Sequence, residues 1–279
     1  MSIRIITDSA SDIEQQEFEQ IQVLPLMVTI DGVTYRDGID LKKNEFYKKL
    51  EESDAMPVSS LISPYEFEQA FEKVTAQNDE AIVLPISSEL SGTYQSAVAA
   101  AADFENITVM DTRQVSGSQR ILILRCLQLI KEGLSRDAIV KQLGEEKEKI
   151  RIFAAVDTLK YLQKGGRISK GSAIVGGIVG IKPILTLDEG KLIAIGKARG
   201  SKQSNLFLNK QIEEAGGIDF TMPYAVGYSG TDDSNLRKYM ESNQELLDAA
   251  PHEVDVVQIG SAVGTHAGPG AVLVTFFVK

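Results

Sequence analysis

The first half of the chain alternates short apolar segments with amphipathic ones, a pattern that predicts strands and helices in turn. Segments that are apolar on both sides are typical of strands whose sheet is covered by helices on both faces. They span residues 3–7, 81–86, 107–111 and 152–156. We therefore predict that these four strands form a parallel sheet.

Several segments between these strands carry apolar residues at helical spacing. Ser63, Pro64 and Glu66 form a capping box with proline at the first helical position, so a helix should begin there. The run over residues 121–130 is apolar nearly all round and predicts a buried helix. Another helix is expected from about Ser91, and its predicted inward face consists of Tyr94, Ala97, Val98 and Ala101.

Two hairpins are predicted where Asp31-Gly32 and Glu189-Gly190 separate apolar segments. The first hairpin joins residues 23–30 to 33–36, and the second joins 183–188 to 191–197. Further helices are expected near 201–215 and 232–247, and further strands near 224–228, 254–259 and 271–278. The predicted fold is α/β with two α/β domains. Residues 1–150 would form a mostly parallel sheet flanked by helices, and residues 151–279 a mixed sheet with helices.

Composition and charge narrow the possible functions. The chain has 279 residues, of which 43% are hydrophobic and 24% charged, and its formal net charge is −10. Nucleic acid and anionic membranes are unfavourable partners because both are negatively charged and bind best to clustered lysine and arginine. Residues 256–278 contain no Asp, Glu, Lys or Arg and could span a bilayer by length, but their glycines and Pro269 should divide them into strand, loop and strand. With no signal-peptide pattern and only Cys126, we expect a cytoplasmic protein.

The usual signatures of nucleotide and metal sites are missing from the sequence. It contains no G-x-x-x-x-G-K-[ST] loop and no G-x-G-x-x-G after a strand. Ser229 lies in a segment that approaches the G-x-S-x-G nucleophile elbow, but Thr231 replaces the last glycine. One cysteine and two histidines give no zinc-spaced ligand set, and no metal site is expected. The acidic residues that could hold a hard cation, or serve as caps and turn residues, are Asp8, Asp12, Asp37 and Asp40.

Hydroxyl groups are concentrated where predicted strands end. They occur in T-D-S after the first strand, in S-S-E-L-S-G-T at residues 87–93, and at Ser59, Ser60 and Ser63 before a helix. Ligands of open α/β sheets bind beyond the carboxyl ends of the strands, and backbone N–H groups at a helix start favour an anion. Each serine could be a simple cap, but the group as a whole favours binding.

His266 lies in G-T-H-A-G-P-G, residues 264–270, a glycine-rich segment in which the backbone can approach a ligand closely. A binding protein would use His266 as a donor, whereas a hydrolase would use it as general base with Ser91 as nucleophile. No carboxylate with a motif-defined role orients this histidine, which disfavours the hydrolase.

A set of motifs spanning almost the full chain resembles the DegV family of fatty-acid-binding proteins, which includes the FakB subunits of bacterial fatty acid kinase. The matching segments are I-T-D-S-A-S-D-I at 6–13, Y-R-D-G-I-D at 35–40, I-S-S-E-L-S-G-T-Y-Q-S-A at 86–97, D-T-R-Q-V-S at 111–116, D-T-L-K-Y-L-Q-K-G-G-R-I at 157–168, K-P-I-L at 182–185 and G-T-H-A-G-P-G. Each is weak alone, but the ordered set is specific. Where the family often has T-S-Q-P-S, residues 59–63 are S-S-L-I-S, so Ser59 keeps a hydroxyl while an amide and a proline are lost.

The resemblance implies a non-catalytic carrier that needs no cofactor. A long-chain fatty acid would place its tail in a buried tunnel, and a separate ATP-binding kinase subunit would convert the presented carboxylate to an acyl phosphate. Carried over by motif, the carboxylate-binding residues are Ser59, Ser91 and His266, with support from Ser60, Gly92, Thr93 and Thr265. A stand-alone Ser/His acyl hydrolase and a lipid sensor without a kinase partner are the alternatives.

Two further sets of residues have two interpretations each. The apolar, glycine-rich segment 171–181 could line the tunnel through Ala173, Ile174 and Ile178, or could be ordinary core. The cationic residues in or near family motifs, Lys164, Arg167 and Arg199, could face the kinase subunit or be solvated surface.

The physical chemistry of a fatty acid divides its binding between tail and head. Burying about 15 methylenes at roughly 0.8 kcal/mol each contributes about 12 kcal/mol before the costs of association. Charge-assisted hydrogen bonds contribute about 1.5–3 kcal/mol each and must first offset desolvation of the carboxylate. We therefore expect the tail to set affinity and the head to set orientation.

Overall fold

The structure is a computed structural model that describes residues 2–168, 180–248, 250 and 253–279. Within these residues, thirteen strands form three sheets and ten α-helices pack around them. The strands are β1 (Ile3–Asp8), β2 (Ile21–Leu24), β3 (Met27–Ile30), β4 (Val33–Arg36), β5 (Val58–Ser60), β6 (Glu80–Leu84), β7 (Ile107–Val109), β8 (Ile150–Ala155), β9 (Ile181–Asp188), β10 (Lys191–Arg199), β11 (Ala225–Tyr228), β12 (Asp255–Gln258) and β13 (Val272–Phe277). The helices are α1 (Lys43–Glu52), α2 (Pro64–Ala76), α3 (Thr93–Ala100), α4 (Gly117–Lys131), α5 (Arg136–Glu146), α6 (Lys160–Lys164), α7 (Gly200–Glu214), α8 (Ser234–Ser242), α9 (Gln244–Asp248) and α10 (Ser261–Ala267).

A four-stranded parallel sheet, in the order β2-β1-β6-β7, is buried between two cores. Ile6 and Val83 pack with α2 on one face, whereas Ile5 and Ile82 pack with α4 on the other. Successive residues of a strand point to opposite faces, so a strand covered on both sides needs apolar residues throughout. The predicted parallel sheet is therefore confirmed, with three of its four predicted strands.

The fourth predicted strand belongs to another sheet, so that assignment was wrong. β8 is antiparallel to both of its neighbours, β9 and β13. It is covered on both faces, since Phe153 and Ile152 pack in different cores. An apolar sequence indicates such burial but does not indicate the direction of the neighbouring strands. β2 completes the parallel sheet instead of continuing into an antiparallel segment, because Pro25 cannot donate to a strand ladder.

The remaining strands form a mixed sheet and a small antiparallel one. The six-stranded sheet has the order β10-β9-β8-β13-β11-β12, and of its described pairs β11–β12 is parallel. Both predicted hairpins are present, as β3–β4 and β9–β10. β5 joins the first of them to complete a sheet of order β4-β3-β5. A parallel sheet followed by a mixed sheet, each with helices, confirms the predicted fold class.

Two helices depart from the sequence-based expectation. The buried face of α3 includes Thr93 and Ser96, while Val98 is 44% exposed, so the predicted inward face was wrong by about one position. The hydroxyl of Thr93 can be buried because it bonds locally to Ser91. The helix predicted over 232–247 is divided into α8 and α9 at Asn243, whose side-chain amide donates to the carbonyl oxygen of Tyr239 and competes with the helix ladder.

The segment that carries His266 is the helix α10, not the predicted loop. Glycine disfavours a helix by about 1 kcal/mol relative to alanine, so the glycine-rich sequence locally indicates a loop. Gly264 instead allows close packing, since a Cβ there would lie 2.7 Å from the hydroxyl oxygen of Tyr47. Tertiary contacts thus override local propensity at this helix. In the described part of the chain, the helices fall short of the length and apolarity that crossing a bilayer requires.

Candidate functional site

His266, in the last turn of α10, contacts a serine that lies 207 residues earlier in the sequence. Its Nε2 lies 2.7 Å from Oγ of Ser59 on β5. β5 turns Ser59 to one face and Val58 and Ser60 to the other, where both are exposed. The structure therefore brings two of the three predicted carboxylate-binding residues into direct contact.

The imidazole of His266 is uncharged at neutral pH. Burial, with a further effect of the positive charge of Arg167, lowers its pKa from 6.5 to about 4. A neutral imidazole has one donor and one acceptor nitrogen. Nε2 contacts Ser59, whereas Nδ1 is buried without a hydrogen-bond partner among the described residues. Nδ1 faces Gly165, where a Cβ would lie only 2.2 Å from it, so only glycine leaves room for the ring.

Ser91, the third predicted carboxylate-binding residue, lines the same cavity as Ser59 and His266. Its Oγ lies 2.9 Å from Oγ1 of Thr93 and accepts a 3.3 Å hydrogen bond from the Thr93 backbone N–H. Gly92 is the N-cap of α3 and runs close to Leu61, since a Cβ there would lie 2.9 Å from Leu61 Cδ2. Thr93 thus fixes the hydroxyl of Ser91, whereas Gly92 allows the backbone to pass close to Leu61.

The cavity, about 870 Å³ including its open mouth, is lined by a few polar residues and a larger number of apolar ones. The polar lining residues are Ser59, Ser60, Ser91, Ser116, Arg167 and His266. The larger apolar residues of the wall come from both halves of the chain: Leu26, Leu61, Ile86, Leu90, Val115, Ile152, Val156, Leu162, Leu185, Leu192, Ile259, Val263 and Leu273. Such a cavity suits an anion that carries an apolar tail.

Arg167 is the charged residue among the described side chains that line the cavity. It is half-buried, and its guanidinium donates to the carbonyl oxygens of Leu90, at 3.2 Å, and Gly165. Lys164 and Arg199, the other two residues predicted to face a partner, are exposed. The structure thus separates Arg167, which lines this cavity, from the two surface cations.

The other predicted residues contribute less directly. Thr265 is buried, and its hydroxyl donates to the Ser261 carbonyl oxygen of its own helix at 2.9 Å. Ser60 lies at the exposed rim of the cavity. The predicted tunnel residues Ala173, Ile174 and Ile178 lie outside the described residues.

The aspartates considered for a cation are engaged otherwise. Asp8 and Asp37 accept backbone N–H groups, and Asp40 pairs with Arg36. Burial raises the pKa of Asp8 and of Asp12 to about 6. In the described part of the chain, the His, Cys, Asp and Glu side chains form no group able to hold a metal ion.

Sequence reasoning missed most of the apolar wall and two anchors of α10. Ile152 on β8 and Leu192 on β10 line the cavity without lying in any motif, and Leu185 on β9 ends the K-P-I-L motif, which gave no sign of its place in the cavity. Asp12 and Asp37, which cap the start of α10, occur in the first two family motifs, but nothing in the sequence connects them to His266.

The geometry supports binding better than hydrolysis. Ser59 and His266 lie at the distance of a nucleophile and its base, but such a pair needs a third group that orients the imidazole. Nδ1 of His266 has no such partner among the described residues. A pKa of about 4 also makes this histidine a weak base at neutral pH. Hydroxyls, an imidazole and one guanidinium are instead suitable donors for a carboxylate.

Comparisons with known proteins agree with this geometry. A family model described as "Uncharacterised protein, DegV family" matches residues 2–279. The chain is 38% identical over 286 residues to a DegV domain-containing protein of Caldanaerobacter subterraneus subsp. tengcongensis, with 99% of each chain covered.

Solved structures give the same result. A DegV family protein from Thermus thermophilus, solved to show fatty acid binding, superposes with a TM-score of 0.88 at 31% identity, covering 100% of both chains. A fatty acid binding DegV family protein from Streptococcus agalactiae superposes with a TM-score of 0.86 at 29% identity, covering 100% of this chain and 99% of that one.

Proposed function

This chain belongs to the DegV family, and we propose that it binds a long-chain fatty acid, with the carboxylate at Ser59, Ser91 and His266. The observation that carries the proposal is a largely apolar cavity that Ser59, Ser91, Arg167 and His266 also line, with Ser59 and His266 in direct contact. Fatty acid binding in relatives of the same fold supports it. The ligand would enter as a preformed amphipathic anion and leave chemically unchanged by this chain.

The donors that line the cavity differ in what they offer a carboxylate. Ser59 and Ser91 each have one hydroxyl proton, and neutral His266 has one N–H. Arg167 supplies the positive charge that balances the ligand's negative charge in a cavity with no carboxylate among its described lining residues. Because the apolar wall receives the tail, head-group substitutions should weaken binding without abolishing it.

We further propose that the bound carboxylate is presented to a separate ATP-binding kinase subunit, which forms an acyl phosphate. The exposed cations Lys164 and Arg199 are the candidates for contact with that subunit or its nucleotide. Replacing Arg199 with alanine should then reduce acyl phosphate formation in a reconstituted reaction while leaving fatty acid affinity unchanged. Equal turnover with the variant would contradict this part of the proposal alone.

The binding proposal is tested by native mass spectrometry of gently purified protein, followed by lipid extraction and titration of the delipidated protein with palmitate. We expect a co-purifying acid of 14 to 18 carbons, a length at which burial of about 15 methylenes dominates affinity. Ser59→Ala should weaken palmitate binding by about tenfold or more, because a hydrogen bond to a charged group contributes about 1.5–3 kcal/mol.

The matched control is Ser204→Ala on α7, which removes a buried hydroxyl that donates to Ser201 of the same helix. It should leave palmitate binding unchanged. An empty cavity after gentle purification together with no measurable palmitate binding would contradict the proposal. Hydrolysis of a chromogenic ester that is lost in Ser59→Ala or Ser91→Ala would replace it with an acyl hydrolase.

A further inference from the structure

The position of His266 depends on contacts outside its own helix. α10 has seven residues, and helices this short are marginal in water without tertiary contacts. His266 lies five residues after Ser261, the first residue of α10, which at 1.5 Å per residue is about 7.5 Å along the helix axis. Whatever fixes the start of α10 therefore also sets where the imidazole lies.

Two buried carboxylates fix that start. Asp37 accepts the backbone N–H groups of Ser261, at 3.0 Å, and Ala262, at 3.2 Å. Asp12 accepts that of Gly260 at 2.7 Å. These N–H groups have no partner within the helix, and negative charge at a helix start is favourable. Asp37 alone accepts two of these three backbone N–H groups.

The Asp37 carboxylate is also tied to the strand that carries Ser59. Asp37 directly follows β4, its N–H donates to the Leu26 carbonyl oxygen at 2.9 Å, and β4 pairs with β3. Ser59 pairs with Val28 on the other side of β3. One three-stranded sheet thus supplies both the hydroxyl that contacts His266 and the cap of the helix that presents it.

We propose that Asp37 is a positioning residue of the carboxylate-binding site, which holds α10 so that His266 meets Ser59. The residue does not line the cavity among its described walls and would not touch the ligand. Its effect on the ligand would be indirect, through the position of α10. This inference rests on the proposed function for its effect on affinity, but the placement of His266 can be measured without any ligand.

The test is Asp37→Asn, because asparagine keeps the size and can accept only one of the two N–H groups while its own NH₂ faces the other. We expect the imidazole of His266 to leave its buried position, so that its pKa, measured by NMR, rises from about 4 toward 6.5. His252 provides an internal reference. Palmitate binding should weaken about tenfold, as expected for loss of one hydrogen bond to the ligand.

The matched control is Asp79→Asn. Asp79 is another buried carboxylate that accepts a backbone N–H, in this case that of Ser2. It lies where β1 and β6 begin, at the end of the parallel sheet opposite to the carboxyl ends of its strands. This variant should leave the His266 pKa and palmitate affinity unchanged. If Asp37→Asn does not fold, Tyr47→Phe removes a milder anchor, the hydroxyl that donates to the Ile259 carbonyl oxygen at 3.0 Å.

Three outcomes separate the possibilities. A raised His266 pKa with weaker binding in Asp37→Asn or Tyr47→Phe supports the positioning role. A loss of thermal stability with an unchanged His266 pKa and unchanged affinity overturns it and leaves Asp37 a purely structural cap. If wild-type protein binds no palmitate, the proposed function fails, whereas the shift in the His266 pKa still decides the position of the imidazole.

Discussion

A methyl group added at Gly165 should displace His266 from Ser59. The backbone of Gly165 has φ −73° and ψ −11°, which alanine adopts readily. Its Cβ would nevertheless lie 2.2 Å from Nδ1 and 2.7 Å from Cε1 of His266. An ordinary contact begins at 3.4 Å, so the ring must move by more than 1 Å. That displacement is enough to break the 2.7 Å contact between Nε2 and Ser59.

Two effects of Gly165→Ala follow from this displacement. Overpacking a well-filled site costs about 1–3 kcal/mol of unfolding free energy, measured by urea denaturation. Loss of the imidazole as a donor should weaken palmitate binding by about tenfold or more, measured by calorimetry on delipidated protein. Gly144→Ala in α5 is the matched control, because nothing lies within 4 Å of its Cβ and alanine favours a helix by about 1 kcal/mol.

Palmitate binding as tight as that of wild type, in a Gly165→Ala variant whose crystal structure shows the imidazole displaced, would contradict this prediction. His266 would then be dispensable for holding the carboxylate. If the imidazole stays in place and the backbone at Gly165 moves instead, α6 can shift relative to α10 without displacing His266.

Two further predictions concern charge at the site. The pKa of His266 is about 4 in the folded protein and 6.5 in the unfolded chain. As the pH falls from 6.5 to 4, the free energy of unfolding of the wild-type protein should therefore decrease by about 3 kcal/mol more than that of His266→Gln. Parallel pH–stability curves from urea denaturation would contradict this. Arg167→Met should weaken palmitate binding and reduce its dependence on salt, measured by calorimetry at several salt concentrations, whereas the same change at exposed Arg199 should do neither.

Strands of the buried sheets could be predicted because a strand covered on both faces has apolar residues at consecutive positions. β1, β6 and β7 are apolar on both sides since helices cover both faces of their sheet. β8 has the same signature and the same burial, yet its neighbours run antiparallel. Strand direction depends on connections elsewhere in the chain, which a local pattern does not contain.

The residues of the proposed site could be selected from the sequence only through the family motifs. Ser59 and His266 are 207 residues apart, and no periodicity connects them. The helix around His266 was missed because its glycines disfavour helix locally, while its caps come from Asp12 and Asp37 near the start of the chain. Interactions over such separations are invisible to reasoning from neighbouring residues.

In the proposed site, the neutral imidazole of His266 would affect how strongly a carboxylate is held. If His266 were charged, its attraction to the carboxylate would be strong, but the empty site would hold an uncompensated cation beside Arg167 at a large cost in stability. Burial keeps His266 uncharged, so the empty site is tolerated and one guanidinium would balance one carboxylate. In the proposed complex, donors of modest strength would orient the head group, and the apolar wall would supply most of the binding free energy. If the chain presents its ligand to a second protein, as proposed, this division would favour release of the head group.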